Sequence, residues 1–357
     1  MNWKKICLTL TIIGCFILAP MSATNASGAT QPDNTDIELT YSEIELLPDG
    51  GKAYIFYIDG VKNKYLVPPE GFNPLTATDE QLEEYCLPPR PKDEKGLTEW
   101  QNNIIYYKRT SSEPKLKIIR HISQKSDNMA VNEISTSNLT ASNYPSQNWS
   151  GYYGTAALFK FTSVQGIFIQ PTEQPDSVLN SYECSWVGIG GMFGSGKLEQ
   201  VGTMMHNYEY YGWYDYFAPG TDKRLIALPS PIHPGDRIQV CVWHHEDTNL
   251  ACYSVANLTT GTWDPVVVES ANLYYDPYYV EWIEERPVVN GAYTTLSDYG
   301  TITWTNAYAA DSRSTNINSL GSYIYNAITM YDGQKIISQP DPLLTSTSFI
   351  DRYIHNP

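Results

Sequence analysis

Residues Gly191-Met192-Phe193-Gly194-Ser195-Gly196-Lys197 have the GxxxxGK spacing of a loop that cradles phosphate. Leu198 stands where Ser or Thr would hold magnesium, and no helical pattern follows, so these glycines read as a turn and not as a nucleotide site. The six histidines are His121, His206, His233, His244, His245 and His355. None belongs to an HExxH pair, which removes the helix-borne zinc site, and no GxSxG elbow presents a serine nucleophile. His244 and His245 border a polar turn and read as solvated. Cys86, Cys184, Cys241 and Cys252 remain once Cys7 and Cys15 near the N-terminus are set aside. With no CxxC and no Cys/His cluster they make a poor metal site, so neither a metal nor another cofactor is expected. Cys241 and Cys252 flank His245-Glu246-Asp247-Thr248 and could face each other across a hairpin as a disulfide.

Five short segments, most of them aromatic, say more. They are Asn148-Trp149-Ser150-Gly151-Tyr152, Ser185-Trp186-Val187-Gly188-Ile189-Gly190-Gly191, Leu198-Glu199-Gln200-Val201-Gly202, Tyr210-Tyr211-Gly212-Trp213-Tyr214-Asp215-Tyr216 and Val280-Glu281-Trp282-Ile283-Glu284-Glu285-Arg286-Pro287. In this order and spacing they resemble the glutamic peptidase (eqolisin) family, over roughly Asn148 to Trp304. Asn257-Leu258-Thr259-Thr260-Gly261 resembles a further family segment. Gly71-Phe72-Asn73-Pro74 and Leu87-Pro88-Pro89-Arg90-Pro91 resemble the N-terminal part of bacterial members.

The resemblance implies a concanavalin A-like sandwich of two curved antiparallel sheets, with peptide lying across the concave face. It implies a catalytic Gln and Glu, which fall on Gln200 and on Glu285, the latter in preference to Glu281. Glu285 would take a proton from the attacking water and return it to the leaving amine, help worth about 10²–10⁴-fold. Gln200 would orient that water and donate to the oxyanion, a contact whose loss costs on the order of 10²–10³-fold. Trp186 matches a tryptophan that lines the family's active site, and Trp149, Trp213 and Tyr214 are the other candidate substrate contacts. A carboxylate near its ordinary pKa of ~4.3 implies action in acid. Gly190 stands where the family often has Asp, and Tyr211-Gly212 where fungal members carry an acid, which bears on substrate preference and pH optimum.

These side chains need strands to aim them. Alternation puts Leu198, Gln200 and Gly202 on one face and Glu199 and Val201 on the other. It likewise groups Glu281, Ile283 and Glu285, opposite Trp282 and Glu284, and Glu284 and Arg286 read as solvated. Runs such as Ala157-Leu158-Phe159-Lys160-Phe161, Gly166-Ile167-Phe168-Ile169, Arg237-Ile238-Gln239-Val240-Cys241-Val242-Trp243 and Thr301-Ile302-Thr303-Trp304 alternate with Gly, Pro, Asn and Asp turns. Many short strands of this kind make an all-β sandwich or barrel, independently of any family. Upstream, Ala53 to Ile58 reads as a strand, Asp59-Gly60 as a turn, Tyr65-Leu66-Val67 as the returning strand, and Asp79 to Tyr85 as a short helix.

Lys4 and Lys5, the apolar run Ile6 to Pro20 and small residues at Ser22, Ala23 and Ala26 read as a secretory signal over 1–26. Ile12-Ile13-Gly14-Cys15 looks like a lipid-attachment box, but Phe16, Ile17 and Leu18 continue apolar where such a box should turn polar, so no anchor at Cys15 is expected. Residues 27–100 form a small α+β, propeptide-like segment. Residues 101–147 form a basic, then Ser/Thr/Asn-rich, linker, and 148–357 the sandwich. Six Lys and Arg against two acids between 101 and 130 meet nine against 21 from 136 onward, so the basic stretch could lie on the acidic domain until acid releases it. A net charge of -16 opposes a nucleic-acid partner. The expected product is a secreted, monomeric peptidase without a membrane span, acting on protein or peptide substrates. The alternative is a non-catalytic, lectin-like sandwich that stacks sugars or holds peptides on its 28 Tyr and nine Trp. Only the peptidase needs an amide and a carboxylate on one water.

Overall fold

The computed structural model describes residues 36–91, 94–119, 122–123, 143–156, 158–174, 180–221 and 224–354. The signal, the lipid box and the Ser/Thr/Asn-rich stretch 124–142 lie outside them.

The N-terminal segment contributes β1 (Ile37–Leu39), β2 (Glu43–Leu46), β3 (Lys52–Ile58), β4 (Val61–Val67), α1 (Asp79–Glu84), α2 (Glu94–Ile104), β5 (Leu116–Ile119) and β6 (Ile122–Ser123). Then follow β7 (Asn143–Ser146), β8 (Trp149–Thr155), β9 (Phe161–Ile169), β10 (Ser181–Gly190), β11 (Leu198–His206), β12 (Glu209–Phe217) and β13 (Leu225–Pro231). After these come β14 (Arg237–His245), β15 (Leu250–Asn257), β16 (Thr262–Glu269), β17 (Tyr279–Glu285) and β18 (Val288–Val289). The chain closes with β19 (Ala292–Tyr293), β20 (Thr295–Leu296), β21 (Thr301–Asp311), β22 (Ser314–Ser319), β23 (Ile324–Asp332), β24 (Lys335–Pro340) and β25 (Phe349–Tyr353).

Two large sheets result. The first runs β1-β5-β13-β12-β11-β10-β17-β8-β23-β24-β25 and ends on the first half of β21. The second runs β2-β3-β4-β16-β15-β14-β9, then the second half of β21, then β22. Strand β21 changes sheet where its register with β9 slips, and Asn306 there takes φ 52°. Such irregularities bend a strand into a corner. Between the sheets lie Val187, Val201, Tyr214, Val280 and Trp282 from the first and Val164, Phe168, Val240, Val242 and Tyr253 from the second. The architecture is the expected all-β sandwich.

The N-terminal strands extend this sandwich and do not form a sheet of their own: β4 pairs with β16 and β5 with β13. The turn Asp59-Gly60 has φ of 51° and 80°, the left-handed pair that a two-residue hairpin requires. Helix α1 is fixed by a capping box between Thr78 and Gln81. Helix α2 was not foreseen; it buries Trp100 and Ile104 on the outer face of the second sheet against Ile167, Ala256 and Trp263.

Three local expectations are corrected. Leu158 to Lys160 is no strand: the chain bends at Leu158 and Phe159 ahead of β9, and Leu158 is 95% exposed; Ala157 lies outside the described residues. The hairpin β14–β15 forms, but its register sets Cys241 opposite Ser254 and Cys252 opposite Trp243, and both thiols are free. Glu284, Arg286 and His244 are buried, because both faces of the first sheet are covered. Nδ1 of His244 lies 3.0 Å from both oxygens of Glu199. Asn148 and Asn257, each in a glycosylation sequon, are also buried.

Candidate active site

Five adjacent strands of the first sheet lay out the site in three rows. One row reads Tyr153, Glu281, Gly188, Gln200, Asp215 across β8, β17, β10, β11 and β12. The next reads Gly151, Ile283, Trp186, Gly202, Trp213, and the third Trp149, Glu285, Cys184, Met204, Tyr211. Alternation turns all of them to the side away from the inter-sheet core. Trp149, Trp186, Leu198, Met204, Trp213 and Ile283 form a separate buried cluster there.

Gln200 and Glu281 thus flank Gly188, with Cα atoms about 10 Å apart across two strand pairings. Gly188 puts no side chain of its own between them, and the Trp186 ring and Leu198 close in over it. A Cβ there would meet Trp186 Cζ3 at 2.8 Å and Glu199 O at 3.1 Å. Gln200 Nε2 donates to Asp215 Oδ2 at 3.4 Å, while its Oε1 has no partner among the described residues. Among the described residues, both carboxyl oxygens of Glu281 lack a hydrogen-bond partner. Burial pushes Glu281 well above the usual carboxylate range, and Asp276 adds to the rise. Both residues are fully buried.

Glu285 lies elsewhere. It is four residues along the strand from Glu281, about 13 Å at the usual rise. Its oxygens accept Trp186 Nε1–H at 2.8 Å and Asn148 Nδ2–H at 3.0 Å. The expected convergence of Glu285 and Gln200 on one water is therefore not met in this geometry. Trp149, Trp186 and Trp213 do share the Gln200 face, with Trp149 and Trp186 edge to face at 5.0 Å. Tyr214 points the other way, into the core, and its hydroxyl donates to Asn63 at 3.0 Å. The pairing of Gln200 with Asp215 gives Tyr214 the opposite parity.

Two acids escaped the sequence reading. Asp215 was quoted only within its segment, and Asp276 carried no signal. A Cβ on Gly190 would stand 2.9 Å from Asp276 Cβ, so Asp276 fills the space where an acid at 190 would project.

A profile of the Peptidase A4 family matches residues 147–349, more than half of the chain. No curated protein matches. Among solved structures, the sandwich resembles Scytalido-glutamic peptidase with a peptide-based transition-state analog. That match has 18% identity and a TM-score of 0.50, and covers 58% of this chain and 98% of that one. SCP-B, described as a member of the Eqolisin family and bound to the tripeptide Ala-Ile-His, matches at 17% identity and a TM-score of 0.48, over 58% and 98%. Aspergilloglutamic peptidase from Aspergillus niger matches at 21% and 0.43, over 49% and 99%. With the profile running through all five aromatic segments and the three rows they build, the chain belongs to the Peptidase A4 (eqolisin) family and is a glutamic endopeptidase.

Proposed function

We propose that the chain is an exported, acid-acting peptidase in which Glu281, not Glu285, moves the proton and Gln200 holds the water and the oxyanion. The observation that carries this reading is the row Gln200–Gly188–Glu281. An amide and an unpartnered carboxyl face each other over a residue with no side chain. Glu281 as a carboxylate would accept a proton from water attacking the scissile carbonyl and pass it to the amine. Gln200 Nε2–H would donate to the oxygen that gains charge. Asp215 keeps the Gln200 amide turned, and Glu285 orients the Trp186 ring, which would floor a substrate groove once the site is uncovered. Trp149 and Trp213 extend that floor.

The fold described is a latent form in this reading. Apart from the half-buried Tyr211 all three rows are buried, and the N-terminal segment contributes to the cover: the Ile119 side chain packs in the same cluster as Trp149, Trp186 and Trp213. While the site is covered, burial favours the protonated form of Glu281, which cannot act as a base. Admitting water returns it toward the ordinary ~4.3, where a carboxylate can act as a base in acid. A basic segment lying on an acidic domain would loosen as carboxylates protonate.

The test is cleavage of a denatured protein from pH 2 to 7 with chelator and serine, cysteine and aspartic inhibitors present. Wild type should cleave after acid treatment, with a new N-terminus between about 125 and 147. Glu281→Gln and Gln200→Glu should each lose at least about 10²-fold in kcat. A Glu281→Gln protein cleaving at the wild-type rate overturns the assignment, and an unprocessed chain with full activity overturns the latency.

A further inference from the structure

Helix α1 ends in an unusual way. Leu87 N–H donates to Leu82 O at 2.8 Å and Cys86 N–H to Glu83 O at 3.0 Å, the paired bonds of a Schellman cap. The left-handed position of that cap normally belongs to Gly or Asn. Here it is Cys86, at φ 53°. An L side chain is disfavoured in that conformation, and the consequence is where its sulfur goes. Cys86 Sγ lies 3.5 Å from Val266 O on β16. The next residue, Val267, is the register partner of Cys252 on β15. Cys86, Cys252 and Val267 lie in one buried cluster.

His245 lines the groove beside Cys252; its Nδ1 lies 3.3 Å from Glu83 on α1, and its Nε2 has no hydrogen-bond partner among the described residues. The thiol of Cys252 is pulled down to about 6, chiefly by Cys86 and then, against its burial, by His245. Cys86 is pushed up by burial, as is Cys241. The groups facing this cluster are Glu83 from α1, His245 and Cys241 from β14, and Tyr107 behind them, with Lys64, Glu80 and Glu84 on the groove beside Cys252. One thiol is therefore activated beside a groove and a second sits buried behind it.

We infer that Cys86 and Cys252 are a redox pair that closes to a disulfide, tying the N-terminal segment covalently to the sandwich. The oxidant is a small-molecule disulfide, RSSR. The Cys252 thiolate attacks one sulfur, forming a mixed disulfide and releasing RS⁻. Cys86 then gives up its proton, attacks the Cys252 sulfur and expels the second RS⁻. Two protein thiols and RSSR become one protein disulfide and two RSH. Cys241 is the wrong partner: its position is diagonal to Cys252 in the hairpin, about 7–8 Å between Cα atoms, beyond the span a disulfide bridges without moving backbone. Cys86 precedes the linker and Cys252 follows it, so the bond would hold the two parts together after a cut between them.

The test uses the full chain and oxidised glutathione at pH 7, with free thiols trapped by iodoacetamide before non-reducing peptide mapping. The expected product joins the peptides of Cys86 and Cys252 and leaves Cys241 alkylated. Cys86→Ser should stop at a glutathione adduct on Cys252. In the reduced wild type, alkylation of Cys252 should have its midpoint near pH 6, and His245→Ala should move it upward. A protease cut between 124 and 142 should leave one band on a non-reducing denaturing gel and two after reduction. The inference fails if Cys86 and Cys252 are both alkylated after oxidation, or if Cys252 is found joined to Cys241. These readouts do not involve peptidase activity, so they stand apart from the assignment of Glu281.

Discussion

Glu285 and Glu281 sit on one strand and one face, yet their surroundings ask for opposite outcomes on substitution. Glu285 accepts from two side-chain donors, Trp186 and Asn148. Glu285→Gln must turn an NH₂ toward one of them, leaving a buried donor unsatisfied. That costs about 1–3 kcal/mol, so denaturant unfolding should show the loss while peptidase activity survives in part. Glu281→Gln removes an unpartnered buried carboxyl and should be neutral or stabilising while activity falls at least about 10²-fold. If Glu285→Gln is the stable, inactive protein and Glu281→Gln the active one, the roles are reversed. The sequence places both acids on the face of Gln200 and does not tell their rows apart. Alternation groups Glu281 with Glu285, but only the pairing of β17 with β10 decides which one meets Gln200, and that register joins residues nearly 100 positions apart. The same long-range pairing, through Asp215, is what turns Tyr214 into the core.

At the scale of the element, β10 matters most, since it lies between the two strands that carry the proposed pair, Gln200 on β11 and Glu281 on β17. Its contribution at Gly188 is an absence. Gly188→Ala would put a methyl 2.8 Å from the Trp186 ring, in the row between Gln200 and Glu281. Overpacking of this kind costs about 1–3 kcal/mol, and a reacting geometry displaced by an ångström loses on the order of 10²-fold. The expected variant folds, melts lower, and loses kcat/KM by that order. Wild-type kcat/KM in a folded Gly188→Ala protein would show that the water does not sit in that row. Strands were readable because hydrophobic alternation is local. Helix α2 was missed although Leu97, Trp100 and Ile104 carry a helical stripe, because the stripe is short, polar residues surround it, and it packs against a sheet formed far downstream.

Across the whole molecule, burial of acids sets a direction for stability against pH. Asp264, enclosed by Tyr65 and Ser230, is raised by burial to about 6. Burial likewise raises Asp351 to about 6 and Glu183 to about 7. It also raises Glu284, where the nearby Glu183 adds to the effect, and Glu199, which His244 partly offsets. Ser185 Oγ lies 2.6 Å from Glu183 and 2.7 Å from Glu284, and one hydroxyl proton cannot serve both, so one of the two carboxyls is itself a donor. A carboxyl raised in the folded state binds its proton more tightly there than in the unfolded chain. Its contribution is fully present below the unfolded pKa, near 4, and is lost as pH rises through 6 to 7. For Asp264 alone the loss is about 3 kcal/mol, from roughly two units at 1.36 kcal/mol each. Asp311 has the opposite sign. Against burial, its hydrogen bonds from Arg313 hold it below the usual range, so its contribution fades as pH falls through its folded value. The unfolding free energy should therefore peak on the acid side, between about pH 3 and 5, and decline steadily toward pH 7. Asp264→Asn, which cannot ionise, should flatten that decline even if it lowers the peak. Greater stability at pH 7 than at pH 4 would mean these acids are ionised in the folded protein, and would remove the physical basis for reading the molecule as built for acid.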